Sequence, residues 1–226
     1  MTALALPTGV DLHLYILGTL LAGAGVTVVC TAGALVLSVA AAALLAGLQS
    51  FGGVAARVCV FAYVEFFRAI PVLALLFILY FGLATIGLKM SPMPAAILGL
   101  GLNGAAYCTE IFRAGILAVP SGQSEAARAI GMRRWQVMRW IVLPQAVRIV
   151  LPALTNLAIN ILKNTSVASA VAAPEIMFLA RNLVNETYLS PQIYLSVCLV
   201  YLLISVPMMK LAGWLETRVG VTAAKR

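Results

Sequence analysis

Charge is what this chain has least of. Lys, Arg, Asp and Glu together make up 10% of its 226 residues, against about 25% in an ordinary soluble domain. Hydrophobic residues reach 63%, and a soluble fold of this size could not hide so much apolar surface, because enclosing a core leaves most residues at or near water. The bilayer as solvent removes that difficulty. Histidine occurs once, at His13, without a ligand partner nearby, and Cys30, Cys59, Cys108 and Cys198 lie far apart with no CxxC among them. These scarcities argue against a metal site and a disulfide framework, and buried free thiols are the expectation. No Gly-x-x-x-x-Gly-Lys-Ser/Thr occurs, so the chain lacks the usual loop for cradling ATP phosphates. The net charge of +8 comes from residues that punctuate apolar runs, with no basic helix or interleaved aromatic platform, which excludes nucleic acid as the natural partner.

What is there is a series of apolar runs. A helix needs about 20 such residues to cross the hydrocarbon core, and Leu14 to Ala56 carries no charge at all. The N-terminus lacks the basic n-region of a signal peptide, and its apolar run is too long for an h-region. The first crossing is expected at about 22–48, with the preceding stretch in or near the interface. Gly18, Gly23, Gly25 and Gly33 make it bendable or closely packed. Further spans are expected at about 69–88, 94–112, 147–172 and 192–209, with Pro71, Pro152 and Pro207 kinking their helices. The fold class is therefore an all-α integral membrane protein of about five transmembrane helices, one transmembrane domain over 1–226. With the N-terminus outside and the C-terminus inside, twelve Lys and Arg fall on the cytoplasmic side (Arg57, Arg68, Arg113 through Arg148, then Lys210, Arg218, Lys225 and Arg226). Lys89 and Arg181 stay outside, and the bias orients the chain.

That orientation puts one long polar stretch, about 118–144, in the cytoplasm. Ser121 can cap a helix, and Glu125 with Ala126 and Ala127 favours its first turn. Gly131 stops it as a residue able to take the left-handed conformation. A second amphipathic piece carries Trp135, Val137, Met138 and Ile141, and Leu143-Pro144 leads into the next span. The result is a compact elbow under the membrane. Small Ala126 and Ala127 leave room for another protein, with Glu125 and the arginines as polar anchors.

The spacing Glu125-Ala126-Ala127, three residues, Gly131, nine residues, Ile141-x-Leu143-Pro144 resembles, without a gap, the signature (EAA) loop of importer permeases of the ATP-binding-cassette class. Tyr63 to Pro71, Leu75 to Phe77 and Tyr80 to Gly82 resemble the second-span segment of the polar amino acid uptake family, the histidine, glutamine and arginine type. Ala105 to Glu110, Arg113 to Ile116, Gly122-Gln123, Pro144 to Ala146, Pro152, Asn156 and Lys163-Asn164-Thr165-Ser166 extend the likeness over roughly 60–185, with Glu216 near the end. Val167 stands where that group usually has Leu, a mild apolar swap.

The resemblance implies that the loop is a coupling helix seated on a separate ATPase subunit. It implies further that the chain is the permease subunit of a bacterial inner-membrane importer for a polar amino acid and is not itself an enzyme. The implied partners are an ATP-binding-cassette ATPase dimer, a second permease chain, the same or related, and an extracytoplasmic amino-acid-binding protein. Membrane lipid surrounds the assembly. The chain is expected to hold no cofactor of its own, with ATP and Mg in the ATPase. Specificity is expected to lie largely in the binding protein.

Three sets of polar residues remain. Glu65 with Arg68 and Glu110 with Arg113 are three apart and can each meet on one helix face. Interfacial anchoring is the plainer role, and linkage of the spans to the elbow the sharper one. Lys163 is the one charge well inside an expected span, with Asn160, Asn164, Thr165 and Ser166 beside it. A polar pathway or gate is one role for this group, and snorkelling or interhelical hydrogen bonding the other. The segment from Pro174 to Pro191, with Glu175, Arg181, Asn182, Asn185 and Glu186, reads as a solvated external connector, part of which touches the binding protein if the resemblance holds. A secondary ion-coupled carrier is the alternative class, but such carriers usually show internal repeats and several intramembrane ionisable groups. A membrane enzyme would need a catalytic set that His13 and the dispersed cysteines do not supply.

Overall fold

The computed structural model describes residues 10–219; Lys225 and Arg226, counted above on the cytoplasmic side, lie outside the described residues. All the regular structure among them is helical. α1 (Val10–Phe51) is followed by α2 (Val54–Ala69) and α3 (Val72–Phe77), which runs through a π turn (Ile78–Gly82) into the single turn α4 (Leu83–Thr85). α5 (Pro92–Leu117) leads to α6 (Ser121–Ala129) and the short α7 (Arg134–Gln136). A π stretch (Val137–Val142) then joins α8 (Leu143–Asn164), which tightens into a 3-10 segment (Thr165–Val171) before α9 (Ile176–Thr187) and α10 (Ser190–Val219). Among the described residues, four helices are long and apolar enough to cross a membrane, or five when α2 and the α3–α4 segment count as one bent span. An all-α membrane protein of about five spans is what the composition required.

Two spans differ from expectation. α1 is one helix of 42 residues, about 63 Å at 1.5 Å per residue, continuous with the stretch before Ala22. A glycine inside a helix costs only about 1 kcal/mol, whereas opening the backbone hydrogen bonds in lipid costs several, so the scattered glycines do not divide it. The span expected at 69–88 is instead broken at its start, where α2 and Val72–Thr85 meet at 101°. Pro71 has no N–H to continue the ladder and pushes Ile70 out of the helical region. Pro152 and Pro207, by contrast, lie inside helices that continue past them. The carbonyl of Phe67, orphaned near the end of α2, accepts a hydrogen bond from Asn103 Nδ2 at 2.7 Å, and Tyr63 donates its hydroxyl to the Leu102 carbonyl at 2.9 Å. Side chains of α5 thus satisfy backbone and anchor α2 beside the break.

The chain forms two compact units. The first holds the residues up to Val36, Ile70–Gly101 and Asn160–Pro207. Its core packs Ile16 and Leu20 of α1 against Ile176, Ala180 and Leu183 of α9 and Ile193 and Val200 of α10. Ile176, Ala180 and Leu183 recur at helical spacing and place α9 inside the unit. Gly23 lets α1 approach the N-terminus of α9: a Cβ there would stand 2.9 Å from Leu179 Cδ1 and 3.0 Å from the Ile176 backbone. Since backbone cannot yield as a side chain can, Gly23→Ala is expected to destabilise the protein by about 1–3 kcal/mol, the usual range for overpacking. Thermal unfolding of the purified chain checks this, and an unchanged midpoint would refute the close approach.

The second unit holds Leu37–Ala69, Leu102–Ile159 and the residues from Met208 onward. Its apolar centre joins Val119, Ala127, Val137, Val142 and Ala146, with Met132 and Ile141 against them. This centre is what fixes the polar stretch to its own bundle. Cys30 and Cys108 are buried as expected, but Cys59 and Cys198 are exposed on the chain; the apolar runs that hold them turn some of their faces outward.

Candidate functional site

The elbow is built from backbone rules that can be traced bond by bond. α6 starts at Ser121 with Pro120 in the capping position and no side-chain cap, so the expected Ser121 cap is not made; the preset φ of proline supplies the entry instead. Glu125 accordingly sits in the middle of α6 and not in its first turn. At the other end Gly131 takes φ +87°. Its N–H donates to the Arg128 carbonyl at 2.9 Å, and the Met132 N–H donates to Ala127 at 3.1 Å. These two bonds form a Schellman stop, and Met132 closes it by packing into the same apolar centre as Ala127. The chain then restarts at α7, where Gln136 Oε1 accepts the Arg133 N–H at 2.8 Å.

Packing decides which residues the elbow offers. Ala127 is buried at 6% exposure and faces its own bundle, so it is not the open small residue the sequence suggested. Glu125 and Ala126 are exposed. Ile130, at the tip, is 81% exposed, an apolar anchor that sequence reasoning passed over because helical periodicity ends one residue before Gly131. Trp135, expected on the apolar face, is also exposed, while Val137 is buried and Met138 and Ile141 are half-buried. Ile141 therefore packs inward, and Leu143 and Pro144 lie outward at the start of α8.

Both charge pairs at the helix ends form. Arg113 Nη2 lies 2.7 Å from Glu110 Oε2 and its Nε also donates to the carboxylate, whereas Arg68 Nη1 lies 3.7 Å from Glu65 Oε1. Arg68 also stacks over the Tyr107 ring at 5.6 Å. The first pair is forked and tight and the second loose, and each lies within a single helix, Glu110–Arg113 in α5 and Glu65–Arg68 in α2.

The polar group around Lys163 divides. Asn160, Lys163 and Asn164 are exposed on the end of α8. Thr165 is fully buried and donates its hydroxyl to the Leu162 carbonyl at 2.7 Å, and Ser166 donates to the Lys163 carbonyl at 2.8 Å. Thr165 thus builds the helix end, leaving Asn160, Lys163 and Asn164 to face outward.

The largest departure lies in the segment from Pro174 to Pro191. It is not a solvated connector. Glu175 is 1% exposed and caps α9, its Oε1 accepting the Phe178 N–H at 2.8 Å while Oε2 accepts the Tyr201 hydroxyl at 2.9 Å. The Ile176 N–H donates to Thr27 Oγ1 at 3.4 Å. This carboxyl lies outside the candidate spans, and burial holds it above the usual range, against the opposing pull of the Met177 and Phe178 N–H groups and the Tyr201 hydroxyl. Arg181, Asn182, Asn185 and Glu186 occupy the exposed face of α9. The pattern of Ile176, Ala180 and Leu183 opposite those polar residues was available in the sequence as the sign of an amphipathic helix. No group of three His, Cys, Asp or Glu side chains among the described residues could hold a metal ion.

Against known proteins, residues 34–221 match the family described as "Binding-protein-dependent transport system inner membrane component". "Probable amino-acid ABC transporter permease protein YckA" of Bacillus subtilis (strain 168) is 41% identical over 139 residues, covering 62% of this chain and 62% of YckA. "Probable glutamine ABC transporter permease protein GlnM" of the same organism is 40% identical over 157 residues, 70% of this chain and 73% of GlnM. Among solved structures, a chain from the crystal structure of an amino acid ABC transporter with histidines superposes with a TM-score of 0.88 at 28% identity, over 94% of this chain and 99% of that one.

Proposed function

The chain belongs to the family of binding-protein-dependent transport system inner membrane components, and from that premise we propose that it is the membrane-spanning permease of an ATP-driven importer for polar amino acids. Similarity to relatives named as amino-acid and glutamine permeases supports the substrate class. The observation that carries the mechanism is the elbow. Glu125, Ala126 and Ile130 stand exposed on a short helix that Gly131 and Met132 lock onto the chain's own bundle. An exposed apolar residue and an exposed carboxylate on one short segment suit a cleft on a separate protein, and its rigid root lets movement of that protein turn the helices behind it.

On this reading an ATPase dimer grips two such elbows, one on this chain and one on a second permease. Nucleotide binding and hydrolysis occur in those partners, which hold ATP and Mg. The N-terminus faces outward and the C-terminus inward, so that the elbow lies in the cytoplasm. A binding protein delivers the amino acid to the opposite face. The exposed Asn160, Lys163 and Asn164 are candidates to line the pathway where two permease chains meet.

Glu125→Lys tests this directly. The expected result is normal abundance in the membrane, an ATPase subunit that no longer co-purifies, and uptake reduced about tenfold, since reversing a charge at a docked site costs upward of 1.4 kcal/mol. Full ATPase retention together with full uptake would remove the proposal.

A further inference from the structure

An apolar cleft of about 360 Å³ lies in the second unit, walled by Ala43, Ala46, Gly47, Phe112, Met138 and Val147. It is within the size range of small-ligand sites, yet it lacks the convergent polar groups such sites use to orient a polar solute. A second cavity of about 320 Å³ shares Ala46, Ser50 and Ile116 with it and brings Arg57 and Arg113 into its wall. Arg134 reaches the same rim, its Nη2 donating to the Ser50 carbonyl at 2.9 Å. Glu110 engages one edge of Arg113 through Nε and Nη2. Two guanidinium groups thus line the second cavity and a third bonds to Ser50, which both cavities share, with Glu110 the one carboxylate bound to them. Trp135 and Trp140, on the segment that forms one wall, are 54% and 62% exposed, and exposed indoles mark the headgroup level of a bilayer.

We propose that this cleft is a binding site for an anionic phospholipid, with an acyl chain along Ala43, Gly47 and Phe112 and the phosphate among Arg57, Arg113 and Arg134. A neutral amphiphile would use the cleft without the arginines, and a free anion the arginines without the cleft; only a molecule with both parts answers both. Basic pockets between membrane helices take anionic headgroups for this reason. The site adjoins the elbow through Met138 and Arg134, and it stands whether or not the elbow carries an ATPase.

The test uses the full-length chain in vesicles of equal phosphatidylglycerol and phosphatidylcholine, each in turn carrying a photoactivatable acyl chain, with labelled peptides mapped by mass spectrometry. Labelling at Phe112 or Met138 is expected to be about tenfold stronger with phosphatidylglycerol, given the net positive rim. Arg57→Gln with Arg134→Gln should bring it down to the phosphatidylcholine level. Gly47→Leu should abolish labelling by both lipids, and because a Cβ at Gly47 meets nothing within 4 Å, the leucine can enter the cleft without displacing a neighbour. Equal labelling by the two lipids in the unaltered chain would overturn the proposal, as would a charge variant that labels like the parent. So would crosslinks showing a helix of a second protein chain in the cleft.

Discussion

Gly131→Val should reduce amino-acid uptake about tenfold or more while leaving the amount of chain in the membrane unchanged. The residue adopts φ +87°, where an ordinary side chain costs about 1–2 kcal/mol and a β-branched one more. Space is not the obstacle, because a Cβ at this position meets nothing within 4 Å. The penalty therefore falls on the backbone turn that holds Met132 against Ala127. Relaxing it frees the elbow from its root, and an elbow that swivels cannot pass motion to the helices. Gly131→Asn is the control. Asparagine tolerates the left-handed region, so its uptake should stay near that of the parent. Uptake assays beside membrane-fraction immunoblots read both outcomes. Equal uptake by the valine and asparagine variants would show that the turn is not what transmits the movement.

Glu175→Ala should lower the stability of the purified chain by about 2–4 kcal/mol. Loss of an N-cap acceptor accounts for about 0.5–2 kcal/mol. Leaving the half-buried Tyr201 hydroxyl without this acceptor adds about 1 kcal/mol or more. Glu175→Gln keeps an oxygen of the same reach and should recover most of the loss, and Tyr201→Phe, which leaves the cap bond to Phe178 in place, should fall between the two. Thermal unfolding followed by tryptophan fluorescence ranks the three. If the alanine variant melts with the parent, Glu175 is not the cap that seats α9.

Those two residues also show how far local reading reaches. Gly131 was legible because a helix stop is a matter of a few consecutive residues: a glycine after Ala126 to Ile130 has one obvious use. The inward turn of Ala127 beside the outward turn of Ala126 was not, since both are small apolar residues and only the position of Val119, Val137 and Val142 settles which faces the bundle. Ser121 met the local rule for a cap, yet Pro120 already directs the chain into α6. The charge pairs Glu65–Arg68 and Glu110–Arg113 followed from spacing alone, but their unequal closeness, 3.7 Å against 2.7 Å, did not.

Membrane residence and about five helical spans follow from composition and run length, because the transfer of apolar residues into lipid adds up along the chain and needs no knowledge of neighbours. The spacing of the elbow is equally local, whereas of the three prolines expected to kink their helices only Pro71 breaks one, while α8 and α10 continue past Pro152 and Pro207. Burial of Glu175 is another matter. It depends on Tyr201 of α10 and Thr27 of α1 converging on the start of α9, and no window of sequence contains those three together. The same holds for the arginine-rimmed cleft, whose rim draws on residues as far apart as Ser50 and Arg134. Local backbone preference and hydropathy belong to single residues and short runs, whereas enclosure belongs to segments that meet only once the chain has folded.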